Sequence, residues 1–217
     1  MKFLVINPNT TQAVTDMVVR AAREAASRGT RIAGVTGRNG PAVIASREGN
    51  EQAKPECLAL ARRHAKGHDA IVLGVSLDTA LSELRARHRI PVVGMTEAGC
   101  RVAASLAPRF GVLTFGSHMV PLYTSLVRGY GFGKRLAAVD AVDFHPTAVF
   151  LEPDKVGRAT LRKVKAMQAK GAGAVVLAGA VYAGMNRILQ PLSALPLVDG
   201  MASAVLLAEA LVRERAR

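Results

Sequence analysis

Four short segments carry the side chains and backbone amides through which this chain can do chemistry. In residues 5–11, VINPNTT, an apolar run breaks at Pro8 and turns into a helix through Asn9, Thr10 and Thr11. Free N–H groups at a helix start, beside amide side chains, can seat a carboxylate or imide oxygen, or the turn can be an ordinary Thr-capped one. In residues 73–81, LGVSLDTAL, Ser76 and Asp78 stand where a strand gives way to a helix. Ser76 and the neighbouring amides suit an anion nest, and Asp78 is either a cap or a general base. Residues 111–121, GVLTFGSHMVP, place Thr114, Phe115, Ser117 and His118 at another strand end, with His118 able to shuttle protons near neutrality. Residues 175–185, VVLAGAVYAGM, run into Gly179 and Ala180, where backbone can approach a ligand closely, and Tyr182 can donate to an oxyanion or simply fill a turn.

Elements that would position these segments are legible in the apolar pattern. Runs at Phe3–Ile6, Ile32–Val35, Ala70–Val75, Pro91–Val93, Gly111–Thr114, Ala137–Val142, Ala174–Ala178 and Leu195–Val198 alternate with helical stretches. The first helix shows itself in Val14, Met17, Val18, Ala21, Ala22 and Ala25, with Thr10 and Thr11 as N-cap candidates. Further helices are predicted near 49–66, 78–88, 97–107, 117–129, 154–169 and 200–215, with Gly29, Gly67 and Gly171 as stops. KGHDAIVLGVS and KGAGAVVLAGA echo one another, each feeding an apolar strand that ends in small residues. This pattern predicts an α/β fold: two pseudo-symmetric three-layer lobes with mainly parallel sheets and a ligand cleft between their strand ends.

Composition removes several function classes. The chain has 217 residues, half of them hydrophobic, so it can bury a core without staples. No apolar run approaches the ~18 residues of a membrane span, and the opening KFLVI does not read as a secretory leader. Cys57 and Cys100 are the two cysteines, with no metal-ligand spacing. A soluble, reduced, cytoplasmic protein without metal is expected. Twenty-nine basic against sixteen acidic residues give +13, but Arg is spread singly along helix faces and aromatics are few. That charge favours small anions over specific nucleic-acid binding. No dinucleotide, Walker, nucleophile-elbow or zinc-protease pattern is present.

INPNTT at 6–11, PVVGMTEAG at 91–99, GVLT followed by Pro121 and YGF at 130–132, and PLVDGMASAVLLAEALV at 196–212 keep a distinctive order and spacing. In these the chain resembles the hydantoin racemase branch of the aspartate/glutamate racemase superfamily over nearly its whole length. The resemblance implies a first lobe of residues 1–95 plus 200–217 and a second of 96–199. It implies an isomerase that needs no cofactor, acts beside a carbonyl of a small carboxylate or cyclic imide, and forms a homo-oligomer. Two cysteines on opposite faces of the acidic carbon would exchange its proton.

Both of those cysteines are replaced. Counting back three from Asp78 reaches Val75, and counting back twenty from Asp199 reaches Gly179. Neither side chain can carry a proton. Gly74-Val75-Ser76-Leu77 is also similar, with a one-residue shift, to the segment of arylmalonate decarboxylase in the same superfamily. A lyase of that kind, or a protein that binds a small anion without turnover, is the alternative. The retained frame is expected to be Asn9, Thr10, Thr11, Val75, Ser76, Thr114, Phe115, Gly179 and Ala180. Tyr182, His118 and Asp78, in that order, are the candidates for the missing proton carrier.

Overall fold

The computed structural model describes residues 1–145 and 148–216, Phe150 by its backbone alone. All eight apolar runs become strands: β1 (Lys2–Asn7), β2 (Arg31–Thr36), β3 (Ala70–Leu73), β4 (Val92–Gly94), β5 (Phe110–Phe115), β6 (Leu136–Val142), β7 (Val175–Leu177) and β8 (Leu197–Asp199). The helices are α1 (Gln12–Ala25), α2 (Arg47–His64), α3 (Leu81–Arg87), α4 (Met95–Leu106), α5 (Val120–Gly129), α6 (Ala148–Leu151), α7 (Pro153–Ala169), α8 (Asn186–Leu189) and α9 (Gly200–Arg215). The strands form two parallel sheets in the orders β2-β1-β3-β4 and β6-β5-β7-β8, so the second repeats the topology of the first. The echo seen in sequence falls on β3 and β7, the equivalent strands.

Period-two alternation makes each lobe three layers deep. Phe3 and Val5 face α1 and α9, while Leu4 and Ile6 face α2 and α3. In the second sheet Leu113 and Leu177 face α7, while Val112 and Val176 face α4 and α5. The stripe of α1 buries Val14, Met17, Val18, Ala21 and Ala22, each large member contributing about 1.5–3 kcal/mol. Thr11 occupies the N-cap place of α1, but its side chain makes no capping bond.

The terminal motif has a physical explanation. The Asp199 side chain caps α9 by accepting from Ala202 N at 3.0 Å. Gly200 follows because a Cβ there would lie 2.7 Å from the Met95 carbonyl oxygen, where α9 crosses α4. Further on, Glu209 is buried and accepts from Ser27 N at 2.9 Å and from Thr30 Oγ1 at 2.7 Å. Met201, Ala204, Val205 and Ala208 then join the core of the first sheet. Helix α4 joins the lobes, with Met95 and Ala98 in that core and Cys100 and Ala103 in the core of the second. Among the described residues no helix is long and apolar enough to cross a membrane.

Candidate active site between the lobes

The strand ends of the two sheets meet around a cavity of about 90 Å³. Val75 and Gly179 each lie two residues beyond the ends of β3 and β7 and line it from opposite lobes. Asn9, Ser76, Thr114, Phe115 and Ala180 line it as well. No described residue accepts a hydrogen bond from the backbone N–H of Val75, Ser76, Gly179 or Ala180, so each lobe presents a pair of amide donors beside the cavity. A Cβ on Gly74 would meet the Val18 and Val5 side chains at 3.0 Å, inside the first lobe. The residue of this pair that lines the cavity is therefore Val75, not Gly74.

Asn9 is held firmly. Its Oδ1 accepts from Asn7 Nδ2 at 2.8 Å and from Thr11 N at 3.0 Å, which leaves its amide NH₂ as the donor for the cavity. Thr10 and Thr11 do not line the cavity. Thr11 N is taken by Asn9, while Thr10 N donates to Pro41 O at 3.1 Å and Thr11 Oγ1 to Ala42 O at 2.8 Å. Both threonines instead pin the segment of residues 37–46, whose Val43, Ile44 and Ala45 roof the cavity. Glu56 pins the same segment from below, accepting from Arg38 N at 2.9 Å.

Sequence reasoning missed the most informative polar group. Tyr123, on α5, is buried, lines the cavity and donates to Ser76 Oγ at 2.5 Å. Burial pushes its phenol up to about 12, while its hydrogen bonds with Ser76 and Thr114 pull the other way. It is thus a proton donor, not a base, near neutrality. The Ser76 carbonyl is held in turn by Thr96 Oγ1 at 2.5 Å. The available signal was that Tyr123 sits in the first turn of the helix that follows β5 after one short 3-10 turn, Ser117–Met119.

The three proposed proton carriers lie outside the cavity lining. Tyr182 sets its ring against Phe115 at 4.6 Å between centroids, tilted by 51°, but its hydroxyl bonds Thr160 at 3.0 Å inside the second lobe. His118 is exposed, and its Nε2 meets the Ala45 carbonyl at 3.2 Å, tying the roof to the second lobe. Asp78 is fully turned inward and caps the N-terminus of α4, not the helix it precedes. It accepts from Thr96 N at 3.1 Å, Glu97 N at 2.8 Å and Tyr130 OH at 2.7 Å. Burial raises its carboxyl to about 6 against these bonds. Its left-handed backbone, φ 49°, is a strained geometry that the three bonds sustain.

Neither native cysteine lines the cavity. Cys57 and Cys100 are both fully buried on α2 and α4, away from the cavity lining. Burial pushes Cys57 up to about 12 and Cys100 higher still. At Gly179 the backbone has φ 146°, a conformation that side-chain-bearing residues rarely adopt. Among the described residues no group of three or more His, Cys, Asp or Glu could hold a metal ion.

Residues 3–208 match the Asp/Glu/Hydantoin racemase family. The chain is 30% identical over 214 residues to the hydantoin racemase of Rhizobium meliloti, spanning 98% of this chain and 89% of that one. It is 31% identical over 215 residues to the hydantoin racemase of Pseudomonas sp. (strain NS671), spanning 98% and 86%. Its structure superposes on that of allantoin racemase from Pseudomonas fluorescens with a TM-score of 0.95, at 27% identity over 99% of this chain and 92% of that one. The allantoin racemase from Klebsiella pneumoniae gives 0.94, at 29% identity over 99% and 89%. The fold, the paired strand ends and these relatives together show that the chain belongs to the Asp/Glu/hydantoin racemase family.

Proposed function

We propose that the protein is a cofactor-independent enzyme of this family that acts on the carbon beside a carbonyl of a small carboxylate or a cyclic imide such as a hydantoin. Its mechanism does not use two thiols. The observation that carries this reading is the cavity, where Val75 and Gly179 stand on opposite sides and Asn9, Ser76, Thr114 and Tyr123 supply polar groups around them. Charge that develops on the carbonyl oxygen as the α-carbon becomes a carbanion would be met by the Asn9 amide, the Ser76–Tyr123 pair and the free backbone N–H groups. Val75 and Gly179 can neither remove nor return a proton, so symmetric two-base exchange is outside their chemistry. In this reading the α-proton leaves to solvent water or hydroxide admitted to the cavity, and Tyr123, held protonated, returns a proton to the carbanion from one side, its phenolate being reprotonated from the same solvent.

A second reading is favoured by one observation: among the described cavity-lining residues none is a base near neutrality. A protein that binds the same ligands without turnover would look like this. Proton NMR in D₂O with 5-substituted hydantoins, allantoin, aspartate, glutamate, maleate and arylmalonates separates the two. Deuterium entering the α-carbon, falling about 10²-fold in Tyr123→Phe, supports the enzyme. Loss of carbon dioxide would redirect the reading to a lyase. No reaction, with some ligands raising the melting temperature, would establish the binding protein.

Two further parts of the reading have thinner support. The unpaired thiols suit a reducing, cytoplasmic setting. Val102 and Leu106 on α4 and Leu206 on α9, exposed on helices that pack together, support a homo-oligomer. A monomeric mass by light scattering would overturn the latter.

A further inference from the structure

Beside the cavity lies a second depression of about 370 Å³, lined by α1 on one side and by residues 181–188 with Val149 and Pro153 on the other. Val181 forms a wall of both spaces. Helix α1 is equally continuous between them. Val14 lines the cavity, and Met17 and Ala21, three and seven residues on and thus on the same helix face, line the groove. The groove walls near Val181 are apolar, being Met17, Ala21, Ala183 and Met185. Farther along stand three charges. Glu24 is neutralised by Arg187 at 3.0 Å, whereas Arg20 makes no hydrogen bond or ion pair with any described residue.

We infer that this groove is the subsite for the substrate's α-substituent, and that it selects a short flexible chain ending in an anionic group that pairs with Arg20. The inference rests on the reading of the cavity as the place of the reacting carbon. A substituent leaving that carbon past Val181 meets the apolar wall first and the guanidinium last. Arg20 lies six residues beyond Val14, about 9 Å along the helix axis. Its side chain points back toward the helix N-terminus, so a tail of about three to five atoms spans the gap. The groove thereby assigns to α1 a part in substrate selection, in addition to its part in the core.

Calorimetric affinities for three probes test this: 5-methylhydantoin, 5-butylhydantoin and hydantoin-5-propionic acid. The butyl compound should bind more tightly than the methyl compound, and the propionate most tightly of all. Arg20→Gln should weaken the propionate about fivefold, the size an exposed charge pair provides, and leave the other two unchanged. Arg20→Lys should restore most of the loss. Equal affinity for all three probes, or an Arg20→Gln effect common to all three, overturns the subsite while leaving the cavity assignment standing. If no probe binds, the cavity assignment falls and the subsite falls with it.

Discussion

In the first sheet Leu73 pairs with Gly94, and in the second Leu177 pairs with Asp199, so Gly94 and Asp199 hold the same place in the two lobes. Each precedes a helix whose N-terminal amides need an acceptor. In the second lobe Asp199 supplies one from its own position and with its other oxygen takes Gly184 N at 2.5 Å, steadying the loop after β7. In the first lobe Gly94 has nothing to offer, and Asp78 reaches across from the loop after β3 to cap α4. A Cβ on Gly94 would lie 2.4 Å from the Asp78 carboxyl carbon, so the two choices exclude each other. One carboxylate ties loop to helix in both lobes, placed on opposite ends of the tie. The same counting makes Asp78 the counterpart of Tyr182, each five residues beyond its strand. Both turn away from the cavity, Asp78 onto Tyr130 and the start of α4, and Tyr182 onto Thr160, leaving the cavity to Val75, Ser76, Gly179 and Ala180.

The largest effect expected from breaking this pairing is in Asp78→Ala. It strips the acceptor from two amides and a phenol and should cost about 3 kcal/mol in urea unfolding, against about 2 for Asp199→Ala, which strands two amides. Adding Gly94→Asp to Asp78→Ala installs the second lobe's arrangement in the first and should regain about 1 kcal/mol, since Gly94 already has cap-like angles, φ −84° and ψ 138°. An equal or larger cost for Asp199→Ala would show that the borrowed cap is the lesser support.

Next in size is the asymmetry between the facing positions. Gly179→Cys must force a side chain into φ 146° and should lose about 2 kcal/mol. Val75→Cys, in a buried site of similar volume, should lose less than about 1. If both fold, the double variant is the direct test for two-thiol exchange, read as racemisation of a 5-substituted hydantoin.

A pH profile sharpens the comparison further. The Asp78 carboxyl lies at about 6 in the fold and near 3.9 in the unfolded chain, so the folded state binds the extra proton between those values. Its contribution to stability is fully present below about 3.9 and is lost as pH rises through about 6. Glu56, Glu97 and Glu209 are lowered by their donors and partners, so they stabilise the fold above the unfolded carboxylate range and withdraw that support as pH falls. Melting temperature should therefore rise modestly from pH 7 toward 5 and then fall, with the rise reduced in Asp78→Ala. Tyr182→Phe should also have a small effect, about 1 kcal/mol for one buried hydrogen bond. It should leave deuterium exchange at the substrate unchanged. A loss of exchange with folding intact would return Tyr182 to the site.

How much was legible follows from the same elements. Strand runs such as Ile71–Leu73 and the stripe of α1 are local hydrophobic patterns, and every one became the element it predicted. Gly179 was legible as the place where an apolar run ends in small residues, whereas Val75 came from counting back from Asp78 in the pattern of the family the chain resembles. The directions of Asp78 and Tyr182 were not legible, since they depend on turn geometry, at Asp78 on a left-handed backbone that no residue type announces there. Tyr123 and the roof at 43–45 come into the site by packing between distant segments, a relation that no periodicity within one segment encodes.

The burial of Cys57 and Cys100 has a practical consequence. With their thiols fully enclosed and pushed up by burial, Cys57 to about 12 and Cys100 higher, neither presents a thiolate to an alkylating reagent in the folded protein. The native chain is therefore a silent background for sulfur labelling. A fluorophore or spin label attached to one cysteine introduced at the exposed His118, beside the roof at Ala45, would report from the rim of the site alone, with no native cysteine needing removal.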